Sequence, residues 1–202
     1  MRALPFEYNA SWERLVSDIL SPPVVWALLA FPLAFRSADN AQQALTWALT
    51  YIALVCVLPI VYIALMVKRG SITDIHMRVR NQRIRPFLVS ILCTMFAWGI
   101  LRLMGAPAVM PLLALFSMVQ LAVMLIITFM WQISIHAISI SGATIALGAV
   151  FGMLPALITA PLVVLVGAAR VNLNRHTPAQ VIVGSLVGFV VPALLFVVVA
   201  TA

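Results

Sequence analysis

Residues 133–169 read ISIHAISISGATIALGAVFGMLPALITAPLVVLVGAA, and the architecture of the whole chain depends on how they fold. These 37 residues are almost wholly apolar, which is too long for one bilayer crossing and short for two at about 20 residues each. Leu154-Pro155 is the natural break, with Gly152 just before it. The stretch therefore predicts a hairpin of two short spans, 137–153 and 156–169.

The hairpin determines where two histidines lie. His136 stands just before the first short span, and His176 follows the second. If residues 133–169 cross the bilayer twice, both imidazoles lie at the same face. A single crossing would put them at opposite faces, and no shared site could form.

The composition indicates an integral membrane protein. Of 202 residues, 64% are hydrophobic and 8% are charged, and the mean hydropathy is +1.15. A soluble domain is about half apolar and about a quarter charged. We expect an all-α, polytopic transmembrane helical bundle of six to seven spans in a single domain, 1–202. Within it we expect an interfacial lead-in at 1–18, a basic loop at 68–86 and a core at 87–199. The apolar runs outside the hairpin are 19–35, 44–67, 87–104, 108–130 and 178–199.

The net charge of +7 comes from few basic residues, 12 against 5 acidic ones, and Lys68 is the single lysine. Because they sit in loops between apolar runs, they favour membrane lipids and phosphates as partners, not nucleic acid.

Cys56 and Cys93 lie inside apolar runs, so we expect no disulfide, no metal and no cofactor. We expect a multi-pass protein of a prokaryotic inner or cell membrane.

Three polar islands interrupt the apolar chain: RVRNQRIRP at 78–86, ISIH at 133–136 and ARVNLNRHTPAQ at 169–180. Ionisable groups beside membrane spans cost free energy, so they are candidates for function. If the hairpin forms, all three islands fall on one face of the membrane.

In this order the islands resemble the motifs of the type 2 phosphatidic acid phosphatase superfamily, a family of membrane lipid phosphatases. Its pattern is Lys-x6-Arg-Pro, then Pro-Ser-Gly-His, then Ser-Arg-x5-His-x3-Asp. Arg stands here for the first Lys, and Gln stands for the last Asp. The matching positions are Arg78, Arg85, Pro86, Ser134, His136, Arg170, His176 and Gln180.

The resemblance implies hydrolysis of a lipid phosphate or prenyl diphosphate without a metal, through a phosphohistidine. His176 would attack phosphorus, and His136 would act as general acid and then general base. Gln180 takes the place of the carboxylate that orients the nucleophile. The phosphate oxygens would be held by Arg78, Arg85, Arg170 and Ser134.

Other departures from the family pattern support an alternative. Ala169 replaces Ser, Ile135 replaces Gly, and Gln180 supplies no charge. In a Ser-His-Asp triad, loss of the carboxylate costs up to about 10⁴-fold. The alternative is a catalytically impaired member of the same fold that binds lipid phosphate or serves as a subunit of a membrane complex. A small transporter or channel is a further alternative, although the charged groups lie at span ends, not near the bilayer midplane.

Several of these residues also have purely structural interpretations. Thr177 to Gln180 has the pattern of a helix capping box with Pro178 at the first helical position. The basic block 78–85 could be an anchor for anionic lipid, and His136 could be an ordinary interfacial histidine. Asp74 could supply the missing carboxylate, but nothing in the sequence places it near His176.

Overall fold

In a computed structural model of the chain, which describes residues 11–201, every regular element is helical. A π-helical turn, Ile52–Val57, joins the third helix to the fourth, and a 3₁₀ turn, Arg80–Arg83, leads into the fifth. The helices are α1 (Trp12–Ile19), α2 (Pro22–Ser37), α3 (Ala41–Tyr51), α4 (Leu58–Lys68), α5 (Ile84–Leu103), α6 (Val109–Met130), α7 (Ile135–Phe151), α8 (Met153–Asn172) and α9 (Pro178–Thr201).

Four helical stretches within the described residues are long and apolar enough to cross a membrane: Ala41–Lys68, Arg80–Leu103, Val109–Met130 and Met153–Asn172. The pair α1 and α2, bent by 48°, would make a fifth if it counts as one span. Two more apolar helices, Ile135–Phe151 and Pro178–Leu194, are shorter. The expectation of an all-α protein with several membrane-suited helices is therefore confirmed.

The predicted hairpin is present, but its break lies earlier than expected. Gly152 separates α7 from α8 and has φ 91° and ψ 179°, a conformation that a side chain would make costly. α8 begins directly afterwards at Met153, so Pro155 lies in its first turn. A proline is tolerated there because its missing N–H would have had no partner in the helix.

α7 lies at the centre of the bundle, packed between α9, α8 and α2. Two glycines of α9, four residues apart, allow close contact with α7. A Cβ on Gly188 would stand 2.5 Å from the carbonyl oxygen of Ile138, and one on Gly184 would stand 2.9 Å from that of Ser134. Because no larger residue fits at these positions, the N-terminal half of α9 is held directly against the start of α7.

The polar ends of the bundle are shaped by α1 and by the basic segment. α1 packs on α8 and buries Ser17, while Trp12, Leu15 and Ile19 are 47%, 56% and 54% exposed. The predicted lead-in 1–18 thus contains a helix, although residues 1–10 lie outside the described part. The predicted basic loop 68–86 ends earlier, because α5 begins at Ile84 and takes Arg85 and Pro86 into its first turn.

Candidate functional site

The turn between α8 and α9 brings Arg170 and His176 together. Asn174 adopts a positive φ of 53°, which Asn tolerates better than most residues. This turn lets the backbone N–H groups of Arg175 and His176 donate to the carbonyl of Arg170, at 3.1 and 3.3 Å. Arg170 is 3% exposed and His176 is 6% exposed, so this turn holds two buried polar residues.

The capping box at the start of α9 is formed, and it also holds the histidine. The Gln180 N–H donates to Thr177 Oγ1 at 3.3 Å, and the Thr177 N–H donates to Gln180 Oε1 at 3.1 Å. The same Oε1 lies 3.1 Å from His176 Nδ1. An amide oxygen can only accept, so Nδ1 carries the proton and Nε2 carries the lone pair.

His176 is electrically neutral at physiological pH. Burial, and next the positive charge of Arg83, lower the pKa of His176 from 6.5 to about 4, although the contact with Gln180 opposes that shift. Its Nε2 is buried and has no hydrogen-bond partner. The ring therefore presents an uncharged, unpartnered nitrogen lone pair, the form that a nucleophile needs.

His136 lies in the first turn of α7 and is 5% exposed. It is close enough to Arg170, His76 and His176 to interact with them electrostatically, and its Nδ1 has no partner. The hydroxyl of Ser134 caps α7 by accepting from the Ala137 N–H at 3.3 Å. A backbone hydrogen bond of 3.2 Å, from the Ser134 N–H to the Gln180 carbonyl, ties this end of α7 to α9.

Arg170 and Arg175 supply unused hydrogen-bond donors. Arg170 Nε and Arg175 Nη1 are buried without a partner. Arg170 Nη1 reaches Ser17 Oγ of α1 at 3.4 Å, and the backbone of Ser17 also lies against the His136 ring. The negative charge of Asp18 attracts both arginines. α1 therefore covers the polar cluster.

Arg83, which the sequence pattern did not single out, is the buried arginine of the basic segment. It is 4% exposed, and it donates from Nε to the Met77 carbonyl at 2.8 Å and from Nη1 to the Ile133 carbonyl at 3.3 Å. These bonds hold the segment against the residues that precede α7. The positive charge of Arg83 lies close enough to His176 and Arg170 to interact with both electrostatically.

Arg78 and Arg85, the two arginines that match the family motif, are exposed. The backbone N–H of Arg78 bonds to Asp74 Oδ2 at 3.4 Å, and its charge lies within range of Arg175. Within residues 11–201, no hydrogen bond joins the Arg85 side chain to the histidines or to Arg170. The structure thus brings together six cationic or imidazole groups: Arg83, Arg170, Arg175, His76, His136 and His176.

His76 and Asp74 complete the rim of the cluster. The side chain of His76 is 38% exposed, and its Nδ1 lies 3.9 Å from Asp74 Oδ1. Burial, followed by the charges of Arg175 and Arg170, lowers the pKa of His76. Asp74 also acts on Arg83 and Arg175 electrostatically, but its recorded hydrogen bonds go to backbone N–H groups of its own loop. It therefore balances charge without orienting His176.

An apolar cavity of about 270 Å³ lies in the bundle beside the cluster. It meets the cluster at His76 and His136, whereas Arg170, Arg175 and His176 do not line it. His76 and His136 line its polar end, and Trp26 and Gln120 line it deeper inside. The π-helical turn places Val55 and Cys56 on its wall, and such turns are frequent at functional sites. Its remaining walls come mainly from α2, α4, α5, α6 and α7.

Four buried nitrogen atoms without partners therefore meet at one end of the bundle: Arg170 Nε, Arg175 Nη1, His136 Nδ1 and His176 Nε2. Buried polar atoms are rarely left unpaired, so a cluster of them points to a ligand that pairs them. A tetrahedral oxyanion fits because arginine donors suit phosphate oxygens.

Compared with protein-family models, curated proteins and solved structures, the chain matches none of them.

Proposed function

We propose that this chain is a membrane lipid phosphate or diphosphate phosphatase that acts through a phosphohistidine at His176. The proposal includes six to seven membrane spans and the arrangement of the type 2 phosphatidic acid phosphatases, to which the motif residues bear a resemblance. The observation that carries it is the set of four unpartnered nitrogens, one of them Nε2 of the neutral His176 imidazole and three on the neighbouring side chains. The apolar cavity that reaches His136 suits the chain of a lipid.

In the first step, His176 Nε2 attacks phosphorus while the bond from phosphorus to the leaving oxygen breaks. His136, protonated on Nδ1 when the anionic phosphate is bound, gives that proton to the leaving oxygen and becomes neutral. The lipid alcohol, or the lipid monophosphate when the substrate is a diphosphate, therefore leaves without an added negative charge. In the second step, water attacks phosphorus and passes a proton to His136, and the P–N bond breaks to restore His176. The free Nδ1 of His136 is the atom suited to this transfer.

Arg170 and Arg175 are the residues that hold the phosphate oxygens in this proposal, because each keeps a buried, unused N–H donor. Arg83 has committed Nε and Nη1 to backbone carbonyls, so it contributes charge and position. Arg78 and Arg85 are exposed and take outer roles, in attraction of the anionic headgroup.

A second candidate is a lipid-phosphate-binding protein without turnover, and the Gln180 amide favours it. The amide fixes the tautomer of His176 through the 3.1 Å contact. It provides no negative charge for the cationic ring that forms when Nε2 is phosphorylated. Binding needs only the donors, whereas turnover needs that charge to be balanced.

The test is phosphate release by the purified protein from phosphatidic acid and from farnesyl diphosphate in detergent micelles. His176→Asn and Arg170→Lys should abolish or strongly reduce release, and Arg85→Gln should leave it close to wild type. Undiminished release by His176→Asn would refute the mechanism. No release by wild type, together with phosphatidic acid binding that Arg170→Lys weakens, would favour the second candidate. Melting temperatures would show that each variant is folded.

A further inference from the structure

The cavity beneath the polar cluster is apolar, but its wall carries a buried amide. Gln120 of α6 is 3% exposed and lines the cavity, and its Nε2 has no hydrogen-bond partner. The other polar wall residues from α5 and α6 are satisfied within the protein. Ser90 donates to the Pro86 carbonyl at 2.8 Å, and Ser117 Oγ lies 2.8 Å from the Tyr51 hydroxyl.

The absence of a side chain on α7 makes room for this amide. A Cβ on Gly142 would stand 2.8 Å from Gln120 Nε2 and 3.4 Å from both Phe116 and Trp26. The amide therefore lies across the α7 backbone at the level of Gly142. An apolar residue at position 120 would fill the same space without leaving a polar group unpaired.

The depth of this amide matches the start of a lipid chain. Gly142 is six residues beyond His136 on α7, so the two levels differ by about 9 Å at 1.5 Å per residue. A phosphate among the histidines would put the first few bonds of its organic group at that level. In an acyl lipid the carbonyl oxygen of the ester linkage occurs there, whereas an alkyl ether or prenyl chain has no carbonyl oxygen at that point.

We propose that Gln120 is a specificity-determining residue whose amide donates to a carbonyl oxygen at the head of an acyl chain lying in the cavity. The inference rests on the proposed lipid phosphate site, and it adds a preference for acyl-linked over alkyl-linked or prenyl ligands. A ligand without the acceptor leaves the buried amide unpaired. An unsatisfied buried group of this kind corresponds to about 5- to 150-fold in affinity, or ~1–3 kcal/mol.

The test compares binding of short-chain phosphatidic acid with that of its dialkyl ether analogue, which lacks both carbonyls. Titration calorimetry in detergent is carried out on full-length His176→Asn protein, so hydrolysis does not enter. The ester should bind about 5- to 150-fold more tightly than the ether. Gln120→Met, which keeps the side-chain length, should bring the ratio close to one, mainly by weakening ester binding. Ser90→Ala, on the same wall but with a hydroxyl already satisfied, should leave the ratio unchanged.

Equal affinities for ester and ether, or a ratio that survives Gln120→Met, would overturn the proposal. If Gln120→Met does not fold, Gly142→Ala gives the same information, because its methyl group displaces the amide. Phosphate release from the ester lipid by protein that retains His176 is measured separately. Tighter binding of the ester without phosphate release would refute only the phosphatase proposal. Phosphate release without tighter binding of the ester would refute only the role of Gln120.

Discussion

Gln180→Glu separates orientation from charge at the proposed nucleophile. The carboxylate has the same length as the amide, so it can keep the 3.1 Å contacts with both His176 Nδ1 and the Thr177 N–H. A negative charge is also favourable in the first turn of α9, near the positive end of the helix dipole. The tautomer of His176 is already correct, so the substitution adds only the charge.

The expected increase in rate follows from the electrostatic interaction between the introduced carboxylate and the His176 ring. An adjacent carboxylate raises the pKa of its partner by about one to three units, or ~1.4–4 kcal/mol for the cationic ring. If the transition state for attack by His176 gains most of this, the rate rises about 10- to 1000-fold. Because the pKa of His176 starts at about 4, even the largest increase leaves about half of the rings neutral at pH 7.

The assay is single-turnover phosphate transfer from phosphatidic acid, quenched in alkali, which preserves a phosphohistidine. Gln180→Glu should accumulate the phosphohistidine, the labelled form of the protein, faster than wild type. Gln180→Ala, which loses both contacts, should accumulate it more slowly. A Gln180→Glu protein that melts like wild type but labels no faster would refute the assigned role of Gln180. Labelling that persists in His176→Asn would refute the assigned nucleophile.

Three further predictions concern stability, each measured by thermal melting in detergent. Between pH 6.5 and 4, His176 takes up a proton in the unfolded chain but not in the folded chain. Lowering the pH through this range should therefore reduce the free energy of unfolding of wild type by about 3 kcal/mol more than that of His176→Asn. Equal pH profiles for the two proteins would contradict this. Gly188→Ala should cost about 1–3 kcal/mol because its methyl meets the α7 backbone. Gly99→Ala, in open space on α5, should instead gain up to about 1 kcal/mol, and equal effects would argue against the close helix contact. Arg83→Gln should cost about 1–3 kcal/mol through two unpaired carbonyls, whereas Arg85→Gln should melt like wild type; the reverse order would be inconsistent with the burial of Arg83.

Local sequence rules predicted the features that depend on neighbours in the chain. The hairpin follows from the length of an apolar run and from Gly152, and the capping box follows from the spacing of Thr177 and Gln180. That the capping amide also holds His176 was left open by the sequence. It depends on the left-handed turn at Asn174, which the sequence does not specify on its own.

Features that depend on packing between distant segments were not predicted. The motif pattern named Arg85, but α5 starts at Ile84, which leaves Arg85 on the outside and turns Arg83 toward the carbonyls of Met77 and Ile133. The contact of Arg170 with α1 joins residues 153 positions apart. Gln120 is a polar residue within an apolar run, and the sequence does not distinguish it because the cavity that it lines is formed by neighbouring helices.

α1 covers one side of the polar cluster and leaves its own apolar residues exposed. Its inner side meets Arg170 through Ser17, while its outer side offers Trp12, Leu15 and Ile19 to the surroundings. Amphipathic helices of this kind settle at the depth where their apolar face meets acyl chains and their polar face meets headgroups. In the proposed membrane setting, we expect lipid composition and curvature to alter how tightly α1 packs over the cluster, so that a micelle and a vesicle would give the proposed ligand different access.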